Sequence, residues 1–336
     1  YSDDKRIKNI YKKADRQVAK EEARMFWDNL LESGITDSYN KEEFLKFLKA
    51  CLDEIGIIKI ERPKYNGIAF DDPHAHYPQP KDKKDLEKIL SSIVENVDRT
   101  ALTTWGHHVK RVLSYQNLVN AVKDLDNYQI DNRGIVSIIK YKDRQLEVYP
   151  SQEIRTKSHL HITAEGCDDL IPELLDPRKT IELIHQQNGI AVIEHPCTKT
   201  HPIFQYVPTN KENDKLTREV LQLVDAAEVF NSYNTLWMFL SNARAKRLPQ
   251  YQIAPIAGSD IHYGDNGWLA RLFYFKNIGR SGIYLPKHDL TSLTGREIIE
   301  LKRKDLKERK YTRVEAYTGP LTFFMTMVSP IVKRKL

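Results

Sequence analysis

Apolar residues first recur at helical spacing between Val18 and Leu31, where Met25, Phe26, Leu30 and Leu31 share a side and Gly34 ends the run. Asn40 followed by Glu43 predicts a capping box for a second helix through Phe44, Phe47, Leu48 and Leu52, closed at Gly56. From about Ile68 the pattern changes to short apolar runs separated by amphipathic segments. The runs predict strands at Gly67 to Phe70, Thr100 to Thr104, Ile135 to Tyr141, Gln145 to Tyr149, His159 to Thr163, Ile190 to Ile193, Ala226 to Phe230, Ile253 to Ala257 and Leu269 to Phe275. The segments between them predict helices near Leu86 to Val97, Tyr115 to Leu125, Thr180 to Gln187, Thr217 to Leu223, Leu236 to Ala245 and Glu297 to Lys307. Strands alternating with helices at this interval predict a parallel α/β architecture, and the number of units suits a closed barrel better than an open sheet. In such barrels chemistry gathers at the strand C-terminal ends.

Composition narrows the class. With 14 Gly and 15 Pro in 336 residues, the chain is neither collagen-like nor low in complexity. No apolar run approaches the 18 or so residues of a membrane-spanning helix; the stretch from Leu321 to Val332 is too short and is broken by Thr, Ser and Pro. That stretch is expected to pack on the barrel. No basic start followed by an apolar core is visible, and the first residue is Tyr1 rather than Met, which leaves room for residues upstream. Cys51, Cys167 and Cys197 are odd in number and widely spaced, which argues against a disulfide framework and against a thiolate zinc site. A reducing, cytoplasmic location is the expectation. The formal net charge of +6 resides wholly between Arg296 and Leu336. This basic end is either a solvated helix face or a surface for an anionic partner, nucleic acid among them.

The positions of the histidines carry the chemistry. His74 and His76, His107 and His108, His195, and His262 each fall at or just beyond a predicted strand end. His159 and His161 lie two apart in a predicted strand, which would put both on one face. Asp72, Glu153, Glu228 and Asp260 join them in the same setting. Imidazole nitrogens and carboxylate oxygens without thiolates suit zinc, manganese or iron, and several such groups at one barrel mouth suit a multinuclear hydrolytic centre.

Six segments, in order, resemble the PHP (polymerase and histidinol phosphatase) superfamily. Asp72-Pro73-His74-Ala75-His76 is similar to the family's Asp-x-His-x-His, and Thr103 to His108 stands where the family has Thr-Asp-His. Tyr149 to Ile154 resembles Pro-Gly-x-Glu, Gly189 to Pro196 the Gly-x-x-x-x-Ala-His-Pro segment, Ala227 to Asn231 Glu-x-x-Asn, and Gly258 to His262 Gly-Ser-Asp-x-His. Leu293 to Tyr311 is similar to the helix and short basic strand that close many members. Three departures stand out: Glu194 replaces the usual small residue before His195, Asn188-Gly189 replaces Gly-Gly, and Ser151-Gln152 replaces the usual Gly.

The resemblance implies an α/β fold, a distorted (β/α)7 barrel of PHP type over residues 63–318, with an N-terminal helical extension at 1–62 and a basic, apolar C-terminal tail at 319–336. It implies two or three divalent ions (Mn, Zn or Fe) held by His74, His76, His107, Glu153, His161, His195, Asp260 and His262, with His159 as the fallback for His161 and Asp82 at a further acidic position. Gly106 stands where the Asp before His107 is usual. The implied reaction is hydrolysis of a phosphomonoester or nucleotide-type phosphodiester by a metal-bridging hydroxide. Arg155, Lys199 or Arg271 would supply a cation to the phosphate, and a metal-bound water, His201 or His108 a leaving-group proton. The alternatives are a nuclease acting on DNA or RNA ends, encouraged by the basic tail, and a catalytically degraded regulatory module of the same fold. Glu194 would either add negative charge beside the ions or turn away into a salt bridge.

Overall fold

The structure, a computed structural model, describes residues 38–54, 56–57, 66–105, 112–197, 211–233, 239–248, 253–262, 274–275, 277–319 and 322. The first predicted helix, His107, His108, Lys199, His201, Arg271 and residues 323–336 lie outside the described residues.

Helix α1 (Ser38–Glu54) begins two residues before Asn40, so the Asn40 and Glu43 pair sits inside the helix and does not cap it. Its end is as expected: Gly56 takes φ +73, and Ile57 N–H closes on Leu52 O at 2.9 Å. The chain then alternates through β1 (Ile68–Asp72), α2 (Lys83–Asn96), β2 (Arg99–Trp105), α3 (Tyr115–Val122), β3 (Tyr128–Asn132), β4 (Ser137–Tyr141), β5 (Arg144–Arg155) and β6 (His161–Glu165). The second half continues with α4 (Pro177–Gln186), β7 (Ile190–Glu194), α5 (Lys211–Val220), β8 (Ala226–Asn231), α6 (Phe239–Ala245), β9 (Ala254–Gly258), β10 (Gly282–Pro286), α7 (Gly295–Lys307) and β11 (Thr312–Val314).

All strands join one sheet in the order β11-β10-β1-β2-β5-β6-β7-β8-β9, with β3 and β4 as a hairpin on β5. The stretch from β1 to β9 curves into a nearly closed, distorted barrel of seven strands. Between β9 and β1 the closure is made just beyond the strand ends. Ala75 bridges Ile261 in parallel, Asp260 N–H donates to His74 O at 2.7 Å, and His76 N–H donates to Ile261 O at 3.1 Å. Ser259 N–H adds a bond to Asp72 Oδ1 at 3.1 Å.

The barrel is mixed and not wholly parallel. β1–β2, β2–β5, β7–β8 and β8–β9 run parallel, but β6 is antiparallel to both β5 and β7, and β10 is antiparallel to β1. Only residues 156–160 connect β5 to β6, too few for the crossover of a dozen or more residues that a parallel pair requires. His159 belongs to this turn, with φ 63, and β6 starts only at His161, so the two histidines do not share a strand face.

The amphipathic helices bury their apolar sides on this sheet. Leu86, Ile89, Leu90 and Ile93 of α2 pack with Leu102 and Val148, while Ile181 and Ile184 of α4 pack with Ile162, Ile193 and Ala227. Each such fully buried aliphatic side chain contributes about 1.5–3 kcal/mol relative to exposure. Ile298, Ile299 and Leu306 of α7 join Ala101, Val192 and Ile256 at the barrel end away from the histidines. Phe44, Phe47 and Ala50 of α1 pack on Phe230, Ala257 and Tyr317. Among the described residues no helix is long and apolar enough to cross a membrane.

Candidate metal centre

The strand ends bring together side chains far apart in sequence. His74 and His76 leave β1, Glu153 lies near the end of β5, Glu194 ends β7 with His195 next, Glu228 and Asn231 lie on β8, and Asp260 and His262 follow β9. His161 arrives from the reversed strand, so it is the first residue of β6, not the last, that reaches this end.

Glu153 sits at the middle. Its Oε2 is 3.2 Å from His76 Nε2 and 3.8 Å from His74 Nε2, whereas its Oε1 is 2.5 Å from His161 Nδ1 and 3.5 Å from His195 Nε2. The two oxygens of one carboxylate thus face two histidine pairs. Asp260 Oδ1 lies 3.4 Å from His74 Nε2, 3.5 Å from His76 Nε2 and 3.3 Å from His262 Nδ1. Ligand atoms of His74, His76 and Glu153 lie within 4.8 Å of one another, as do those of His76, Asp260 and His262, and those of Glu153, His161 and His195.

The surrounding bonds aim these groups. His76 Nδ1 is 3.1 Å from Thr103 O and His262 Nδ1 is 2.6 Å from Asp260 O. A carbonyl can only accept, so each Nδ1 carries the proton and each Nε2 keeps a lone pair for a cation. Asn231 Nδ2 donates at 2.9 Å both to Glu228 Oε2 and to Asp260 Oδ2, fixing the direction of Asp260. His195 takes φ 29 and Asp260 φ 48, left-handed conformations that non-glycine residues adopt at a cost of about 1–3 kcal/mol each.

Electrostatics follow from burial and crowding. Burial opposes charge on His195, but its hydrogen bond to Glu153 and the charge of Asp260 outweigh it and raise the imidazole to about 9. Burial likewise opposes ionisation of Asp260, and the nearby imidazoles of His74 and His262 overcome it, holding the carboxyl well below its usual range. His262 moves the other way: burial holds it down to about 4. Glu228 is raised to about 7 by burial and then by the charge of Glu194.

The donor set fits divalent cations. Asp260 Oδ1 and both oxygens of Glu194 are buried without a hydrogen bond among the described residues. Such atoms are costly unless a cation or proton meets them. Five imidazoles and at least two carboxylates, with no thiolate, match the harder and borderline metals.

Of the sequence-predicted ligands, the structure brings His74, His76, Glu153, His161, His195, Asp260 and His262 together. Asp82 is excluded. It is exposed and caps α2, accepting Asp85 N–H at 2.8 Å. His159 lies in the β5–β6 turn, where Arg155 donates to its Nδ1 at 2.6 Å. Arg155 faces His161 across the β5–β6 ladder at the rim. Glu194 does not turn away into a surface salt bridge but lies 3.0 Å from His74 Nδ1. Two residues to which the motif reading gave no role also matter. Trp105 donates its indole N–H to Glu153 Oε2 and lays its ring 4.6 Å from that of His76 and 4.4 Å from that of His262. Asn231 is the second. Trp105 was visible only as a residue just past the strand expected at Thr100 to Thr104, inside the segment that stands for Thr-Asp-His, and Asn231 as the Asn three places after Glu228.

Fold and site together define a distorted α/β barrel with a buried centre of imidazoles and carboxylates at one end. No family model and no curated protein matches the sequence. Solved structures to which the chain is similar include PsfC from Pseudomonas syringae, at 15% identity and TM-score 0.47, covering 80% of this chain and 98% of that one. Another is a two-domain protein from Bacteroides vulgatus containing a predicted PHP-like metal-dependent phosphoesterase, at 17% identity and TM-score 0.45, covering 77% and 68%. A third is the lesion-specific endonuclease PfuEndoQ from Pyrococcus furiosus, at 12% identity and TM-score 0.40, covering 72% and 56%.

Proposed function

We propose that this chain is a metal-dependent hydrolase of phosphoesters built on a PHP-type barrel. The observation that carries this reading is Glu153, one buried carboxylate whose two oxygens are turned to two separate histidine groups. In this reading one divalent ion would be held by Glu153, His74, His76 and Asp260 and a second by Glu153, His161 and His195, with His262 beside Asp260 as a further donor.

The ions, when bound, activate water and neutralise phosphate oxygens. The chain's own part is to orient the ligands. Thr103 O and Asp260 O keep the protons of His76 and His262 on Nδ1, and Asn231 keeps Asp260 turned inward. Trp105 walls off one side against His76 and His262, limiting access of bulk water. Arg155 at the rim is the described cation best placed to meet a phosphate oxygen, after leaving His159. Its place on the same strand face as Glu153, two residues on, supports that role. Lys199 and His201 remain the sequence candidates for a second cation and for proton delivery.

Replacing Asp260 or His76 by Ala is expected to abolish bound metal and hydrolysis of an aryl phosphomonoester or phosphodiester while leaving the circular dichroism spectrum unchanged. Undiminished hydrolysis in both variants would sink the proposal. A nuclease acting on DNA or RNA ends is the narrower form of the same reading. The exposed Lys304, Lys307 and Lys310 support it, and salt-dependent binding of single-stranded nucleic acid measures it.

A further inference from the structure

Glu194 is the carboxylate that the resemblance does not supply, because a small residue is usual immediately before the His-Pro that His195 and Pro196 match. It is 2% exposed, and neither oxygen accepts a hydrogen bond among the described residues. His74 Nδ1 lies 3.0 Å from its Oε2. The hydrogen bond from that nitrogen, however, goes to Glu228 Oε1 at 3.2 Å. Glu228 is otherwise well supplied, since its Oε2 accepts from His195 N–H at 3.1 Å and from Asn231 Nδ2 at 2.9 Å. Glu194 therefore is not needed to fix the tautomer of His74, which Glu228 already does. What it adds is a second negative charge against the inner side of the same imidazole, whose Nε2 looks toward Glu153 and Asp260.

We propose that Glu194 is a positioning residue that acts through His74: its buried, unbonded carboxylate makes the imidazole a stronger donor at Nε2 and raises the affinity of the centre for divalent cations. The inference rests on the metal-centre reading above. A carboxylate stripped of water and given no donor destabilises the metal-free protein, and positive charge bound a few ångströms away recovers that loss. Its signature is therefore two-signed. The side chain weakens the empty fold and strengthens cation binding, whereas a residue present for packing would do neither.

The test is calorimetric titration of the whole chain with manganese(II) and with zinc(II), paired with thermal unfolding of the metal-free protein. The variants are Glu194→Gln, Glu194→Asp and Asp260→Ala. Glu194→Gln keeps the shape and removes the charge; it is expected to lower manganese affinity about 10- to 100-fold, the range typical of outer carboxylates behind a histidine ligand. The unfolding midpoint of its metal-free form is expected to equal or exceed that of the wild type. Glu194→Asp restores the charge and is expected to recover part of the affinity. The inference is overturned if Glu194→Gln binds as the wild type does, or if its metal-free midpoint falls together with affinity. Asp260→Ala separates the two levels. If it loses the ions while Glu194→Gln keeps them, only the role of Glu194 is wrong; if the wild type binds no ion, or Asp260→Ala binds as well as the wild type, the metal-centre reading fails as well.

Discussion

Single atoms decide how tightly this centre is built, and Gly258 shows it most directly. A Cβ placed there would lie 2.4 Å from Glu228 Oε1 and 2.8 Å from the Cβ of His74. Glycine is thus required by close approach, since φ there is not in the left-handed region. Gly258→Ala should lower stability by about 1–3 kcal/mol through overpacking, read as a fall in the unfolding midpoint, and should weaken manganese binding because Glu228 and His74 must move. A variant with both properties intact would show that the inner wall is softer than described. At this scale the candidate ligands were easier to see in the sequence than the residues that support them. His74, His76, Asp260 and His262 stand in recognisable phrases, but Trp105 reaches Glu153 only because β2 and β5 pair in register, with Trp105 opposite Glu153. No local pattern announces a cross-strand neighbour. The orientation of Glu194 was equally undetermined, because its position at the strand end allowed either face.

Among the elements, α2 gives a capping part to a residue that spacing had left ambiguous. Asp82 takes an extended backbone, with φ −157, and accepts the amide of Asp85. Asp82→Ala should cost about 1 kcal/mol of stability, as loss of an N-cap does, while metal stoichiometry and affinity stay at wild-type values. A lost ion would restore Asp82 to the ligand set. The helices and the parallel strands were legible because their apolar periodicity is set by the faces they bury. β6 was legible as a strand but not in its direction, since alternation carries no arrow; only the observed strand limits, which leave residues 156–160 as the connection, fix it. β3 escaped notice because Gln129, Asp131 and Asn132 give it little apolar surface, and β4 is its one strand partner among the described residues. β10 (Gly282–Pro286) was missed: the last strand was expected at Leu269 to Phe275, of which residues 269–273 lie outside the described residues and Tyr274 and Phe275 are helical.

For the whole molecule, two buried charge networks tie distant parts of the chain together. Lys302 of α7 enters the barrel end opposite the histidines, with Nζ 2.8 Å from Asp71 Oδ2 and 2.7 Å from Glu165 Oε2. Outside the barrel, Lys46 of α1 and Lys246 just beyond α6 both pair with Glu43 and Glu315, and Tyr317 donates to Glu43. Burial alone would raise Glu315, but Lys246, Lys46 and Arg313 outweigh it and hold the carboxyl down at about 2, against 4.5 for the free group. A depressed carboxyl contributes stability above its unfolded value and loses it on acidification. Glu315→Gln should therefore lower the unfolding midpoint near pH 6, and the gap to the wild type should close as pH falls from about 4.5 toward 2. A gap independent of pH would mean that packing, not charge, ties α1 down. The basic end of the chain, which carries the whole net charge of +6, thus directs Lys302, Arg303 and Arg313 to internal pairing, while Lys304 and Lys307 face water and exposed Lys310 pairs with Glu308.

The seam between the first and last barrel strands joins these scales. The amides and carbonyls that shut it belong to Asp260, Ile261, His74 and His76, the same short stretches that present the imidazoles. The hoop and the clasp are one object. Loosening the seam would scatter the donors, and whatever draws the donors together would tighten the hoop, so integrity of the cylinder and convergence of these side chains rise and fall as a single property.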